Sequence, residues 1–98
     1  MIRLEQYFRE KATQELSSDQ IVAEVLSEEC RDLDWRVKQG QTNNVGFIWI
    51  DGTPFIWELT WARQKDSSIN FEMKVHQVLP KSLRLKTTRT FTIKEKDL

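Results

Sequence analysis

Large apolar residues recur at two different spacings along this chain, and the change between them falls near Asp34 and Trp35. Before it, Ile2, Leu4, Tyr7, Phe8, Ala12 and Leu16 follow one another mostly at intervals of three and four, with Glu5, Gln6, Arg9, Glu10 and Lys11 between them. That spacing predicts one apolar stripe on a helix. Ser17-Ser18-Asp19-Gln20 interrupts the pattern, and Ser17 with Gln20 three residues later fits a capping box that opens a second helix. Its inward face is Ile21, Val22, Val25, Leu26 and Cys30, with Glu24, Glu28, Glu29 and Arg31 turned to water.

From Trp35 onward the period is two, and β-branched and aromatic residues dominate. Five strands are predicted: Trp35 to Gln39, Val45 to Ile50, Phe55 to Arg63, Ile69 to Val78 and Leu83 to Ile93, the last either continuous or broken at Thr87-Thr88-Arg89. The separators, among them Asp51-Gly52-Thr53-Pro54 and Leu79-Pro80-Lys81-Ser82, are too short for a helical crossover, so consecutive strands run antiparallel. The predicted fold class is α+β: two N-terminal helices packed on one face of a five-stranded antiparallel meander. It forms a single domain over 1–98, with residues 1–34 as the helical layer and 35–98 as the sheet. Two helices, each about 10 Å wide, span about four strands at the strand spacing of about 4.8 Å. A fifth strand leaves a margin uncovered or curls the sheet round the helices, which resembles cystatin-like architectures and carries no function by itself.

Side chains alternate sides along a strand, and the large apolar ones fall on odd numbers throughout the predicted sheet, including Trp35, Trp49, Trp57 and Trp61. Keeping that face whole pairs Val37 with Val45, Trp49 with Phe55, Trp61 with Phe71 and Val75 with Leu85. Gly52 then supplies the positive φ of a three-residue bulged hairpin, or sits in a five-residue loop. The same register sets Ile48 against Ile56, Glu58 against Lys74, Thr60 against Glu72, His76 against Arg84 and Lys74 against Lys86 on the other face. That face is mostly basic, with Arg36 and Lys38 added and a small apolar spot at Ile48, Ile50 and Ile56. Arg89 is the odd-numbered residue that breaks the parity, which predicts a bulge, a projecting strand end or a partner contact there.

Composition narrows the chemistry. Among 98 residues, 15 Lys and Arg balance 15 Asp and Glu, apolar residues make up 39%, and there are four Trp and five Phe. Such a chain folds and carries no large net field to hold a polyanion. The balance is uneven along the chain: residues 1–34 hold nine acids and four bases, net −5, and residues 35–98 hold 11 bases and six acids, net +5. One Cys excludes an internal disulfide and fits a reducing compartment. The longest apolar run, Phe47 to Ile50, is too short to span a bilayer, and the first residues lack a signal-peptide layout, which together predict a soluble cytoplasmic protein.

Catalytic, metal and cofactor residues are not predicted. Cys30 and His76 fall on different faces, Asp32 and Asp34 end a helix and start a turn, and Gly40, Gly46 and Gly52 form no phosphate loop. Three functions remain open. The favoured one is a non-enzymatic protein-interaction or regulatory module that steers a protein partner with its charge-polarised surface, its candidate contacts being Ile48, Ile50, Ile56, Lys74, His76, Arg84, Lys86 and Arg89. The alternatives are nucleic-acid or anion binding through the basic sheet face, weakened by the absence of exposed rings on it, and a small-molecule pocket near Glu58. A homodimer through a sheet edge or face is compatible with the first.

Overall fold

A computed structural model describes residues 3–94 and residue 96; Ile2, placed by the pattern on the first stripe, lies outside them. The protein is α+β, with helices α1 (Leu4–Glu15), α2 (Gln20–Glu29) and α3 (Leu33–Lys38) followed by strands β1 (Asn43–Ile50), β2 (Thr53–Arg63), β3 (Ser68–Leu79) and β4 (Ser82–Lys94). The strands form one antiparallel sheet in the order β1-β2-β3-β4. Two compact units result: the described residues of Met1–Gln41 with Lys96, and those of Thr42–Glu95.

In the helical unit the stripe of α1 narrows to Leu4, Phe8 and Ala12, all buried, while Leu16 falls past the helix end and is exposed. The cap of α2 is Asp19, whose carboxylate accepts from the Val22 N–H at 3.3 Å; the Ser17 hydroxyl instead donates to the Gln14 carbonyl. Two carboxylates expected in water or in turns have structural work. Glu29 is fully buried and paired with the Arg36 guanidinium at 3.3 Å, which ties α3 to α2. Asp34 accepts from the Leu4 N–H at 3.0 Å and the Glu5 N–H at 3.5 Å, so α3 caps the start of α1, where Arg3 offers no side-chain cap. A carboxylate there meets both the unpaired N–H groups and the positive end of the helix dipole.

The segment Trp35 to Gln39, whose alternation predicts a first strand, is helical instead, so the sheet has four strands and the pairing of Val37 with Val45 does not exist. Gly40 is the reason: at φ 77° it closes α3 in a Schellman motif, with Gly40 N–H to Val37 C=O and Gln41 N–H to Arg36 C=O. Arg36 and Lys38 therefore belong to the helical unit. Of the two alternatives for the last strand, the continuous one is found, since β4 runs unbroken to Lys94.

Three connections set the register of the sheet. Arg63 pairs with Ile69 across a five-residue loop, in which Asp66 accepts from the Ser68 N–H and hydroxyl, and Trp61 then faces Phe71 as the parity predicts. β1 and β2 are joined by only Asp51 and Gly52, both at positive φ (50° and 78°), in the type I′ geometry that suits a two-residue hairpin. A two-residue loop pairs odd with even: Trp49 faces Pro54, Ile48 faces Phe55 and Phe47 faces Ile56. In β4 the register slips by one between Val75 and His76, leaving Lys86 as the extra, bulged residue. Val75 faces Thr87 and His76 faces Leu85, in place of the predicted pairs with Leu85 and Arg84.

One face of β2 and β3 is the apolar core of this unit: Phe55, Trp57, Leu59, Trp61, Ile69, Phe71, Met73 and Val75 are buried on it, with Phe91 and Ile93 from β4. Gly46 faces Trp57 across the ladder, and a Cβ at Gly46 would fall within the indole, so the glycine makes room for that ring. The indole N–H groups of Trp57 and Trp61 are buried without a hydrogen-bond partner among the described residues.

Candidate functional site

The two register changes put β1 and the first part of β4 the other way up relative to the middle of the sheet. Val45, Phe47 and Trp49 therefore stand on the face opposite the core, at 55%, 53% and 63% exposure, and Leu83 and Leu85 join them, each at 54%. The predicted burial of these odd-numbered residues is thereby overturned. It holds for Trp57 and Trp61 and fails for Trp49, and the exposed Trp35 lies on a helix.

Read across the strands, this face has a simple layout. Phe47, Ile56, His76 and Leu85 make one continuous row from β1 to β4. Toward the two tight turns lie the pairs Trp49 with Pro54 and Val78 with Leu83. The rings of Phe47 and Trp49 meet edge to face, 5.6 Å between centroids, as rings with opposed quadrupoles prefer. On the other side of the row come Val45, Glu58, Lys74 and Thr88, and then Asn43, Thr60, Glu72 and Thr90. The face is thus apolar at its hairpin end and polar beyond, with Lys74 3.6 Å from Glu72 in a solvent-exposed ion pair. Such a pair contributes little to stability.

The candidate contacts separate onto two faces. Ile56, Lys74 and His76 lie on the exposed face, as expected. Ile48 and Ile50 do not: the two-residue turn sends them to the face of Phe55, half-buried, so the apolar spot they were to form with Ile56 is built instead by Phe47 and Trp49. Arg84 faces Gln77, and Arg89 faces Met73, both on the core side of the ladder, while Lys86 is the bulge residue. The bulge sits three residues before Arg89, which keeps its place in the register and donates to the Thr87 hydroxyl at 2.9 Å. No continuous basic face is assembled on the sheet: around Lys74 the exposed side carries Glu58 and Glu72.

The signal for the aromatic patch was present in Asp51-Gly52, which is strongly biased toward a two-residue hairpin. For Leu83 and Leu85 no comparable local signal marks the bulge. Elsewhere, Cys30 is buried and donates its S–H to the Ser27 carbonyl. Among the described residues no three His, Cys, Asp or Glu gather in a way that could hold a metal ion. A shallow recess lies among Thr60, Asn70, Glu72, Thr90 and Thr92, on the polar half of the exposed face, and does not reach Glu58. No helix among the described residues is long and apolar enough to cross a membrane. No family model, curated protein or solved structure matches the chain.

Proposed function

We propose that this protein is a non-enzymatic interaction module that docks a polypeptide, itself presenting an apolar surface, on the hairpin end of the exposed sheet face. One observation carries the reading: five large apolar side chains, each more than half exposed, stand on one face, four of them on its hairpin half and Val45 in the adjoining row. They present on the order of 500 Å² of apolar surface, at the upper end of what a typical monomer leaves in water, and such patches are often functional. Half-buried Ile56, His76 and Val78 extend it. Aromatic anchors beside aliphatic residues, rimmed by Glu58, Lys74 and Glu72, match the centre and margin of a protein interface.

Charge has a smaller part than the sequence predicts. With Arg36 and Lys38 in the helical unit, Met1–Gln41 holds nine acids and six bases, net −3, in place of −5 for the first 34 residues. The exposed rings of Phe47 and Trp49 do favour a second reading, base stacking by a single-stranded nucleic acid. That reading has few phosphate contacts, since Arg84 and Arg89 lie on the opposite side of the ladder and Lys74 is paired with Glu72.

The test is site-specific photocrosslinking. A photoreactive residue at Leu85 should form adducts with a polypeptide, a probe at Thr90 on the polar half should not, and unlabelled wild-type chain should compete where Trp49→Asp does not. Equal competition by Trp49→Asp, or adducts only with oligonucleotide, would refute the protein-docking reading.

A further inference from the structure

Resting on that reading, we propose that the polypeptide is a second copy of this chain, stacked face to face about a two-fold axis that runs parallel to the strands between β2 and β3. Such an axis exchanges β1 with β4 and β2 with β3 while keeping both hairpin ends together. The rows of the exposed face are self-complementary under that exchange. Phe47 of one copy comes over Leu85 of the other, Trp49 over Leu83 and Ile56 over His76, so rings lie on aliphatic side chains over the apolar half. On the polar half Glu58 of each copy meets Lys74 of the other, and Glu72 meets Thr60, so no like charges face one another.

Alternative axes lose this match. A two-fold across the middle of the strands would set each strand on its own copy with the rows reversed, laying Leu83 on Thr90, Leu85 on Thr88 and Trp49 on Asn43. Twisted sheets stack with their strands turned by about 30°, which displaces outer strands more than inner ones. Glu58 and Lys74 are on the two central strands, next to the axis, and keep their opposition under that turn. Area fits as well: about 500 Å² from the five exposed side chains, with the half-buried residues and the polar half, approaches the roughly 800 Å² that each partner contributes to a standard interface. An isologous contact of this kind closes on itself and covers the patch on both copies.

Sedimentation of the full chain over a concentration series reaching the high micromolar range tests the proposal. The wild type should pass from monomer to dimer mass. Trp49→Asp should weaken association by roughly 30-fold or more, the scale of losing an interface aromatic, with circular dichroism and melting temperature unchanged at the low concentrations where both proteins are monomeric. Glu58→Lys alone and Lys74→Glu alone should each be monomeric at concentrations where the wild type is dimeric, because each sets like charges across the interface. An equimolar mixture of those two variants should recover dimer mass, since each then faces its opposite in the other chain. Glu58 and Lys74 are also neighbours within one chain, but mixing cannot repair an intrachain defect, so recovery isolates the contact between copies. A wild type that stays monomeric, a dimer that survives Trp49→Asp, or a mixture that fails to recover would each overturn the proposal. A monomer whose Leu85 probe still crosslinks another polypeptide would overturn only the self-association and leave the interaction reading standing.

Discussion

Single residues in this protein do work that their type alone does not announce. Gly46 has ordinary backbone geometry and is a glycine because the Trp57 indole occupies the space of its Cβ. Gly46→Ala should displace that ring and cost roughly 1–3 kcal/mol, as overpacking does elsewhere. Urea denaturation would measure it, and an unchanged midpoint would show that the indole moves freely. Glu29 and Asp34 make the complementary point. Both read as solvated or turn-forming acids, and both are structural because α3 returns to meet α2 and α1. Nothing in the local pattern around Glu29 distinguishes it from Glu28, which pairs with Arg31 on the surface. Only the long-range partner does.

At the scale of elements, alternation was a sound guide to where strands lie and a poor guide to which side each presents. β2 and β3 pair as their pattern predicts, and the predicted segments for β1 and β4 fall within the strands observed. The failure at Trp35 to Gln39 has a simple cause: four residues of alternation fit one turn of helix as well as a short strand, and Gly40 arbitrates by capping. β1 failed for a different reason. Parity favoured an odd-length loop that would bury Trp49, whereas Asp51-Gly52 stabilises a two-residue turn locally and leaves Trp49 outside. The turn is therefore the switch for the candidate site. Gly52→Val, which forces a β-branched residue to φ 78°, should destabilise the protein by about 1–2 kcal/mol. A loss of thermal stability below a few tenths of that would mean that the hairpin does not depend on this turn.

The whole molecule holds two classes of tryptophan, and they give its association a spectroscopic readout. Trp57 and Trp61 are buried, Trp35 and Trp49 exposed. In a Trp35→Phe variant, acrylamide should quench Trp49 readily while Trp57 and Trp61 are shielded. If two copies stack as proposed, the quenchable fraction should fall as protein concentration rises, in step with dimer mass. Constant quenching across that range would place Trp49 outside the interface. The charge balance belongs to this scale too. A zero sum concealed an acidic helical part, and α3 moderates the separation by carrying Arg36 and Lys38.

By itself the sequence determined the class of the protein, the amphipathic stripes of the first two helices, the antiparallel meander and the buried core of β2 and β3. Period and loop length are local quantities, and both can be read along the chain. Which face receives Phe47, Trp49, Leu83 and Leu85 was decided by the tertiary structure. A period of two says which residues of a strand share a side, but the choice between the two sides depends on pairing with the next strand. One two-residue turn and one extra residue at Lys86 make that choice here, and they turn residues that resemble core into the surface on which the proposed function rests.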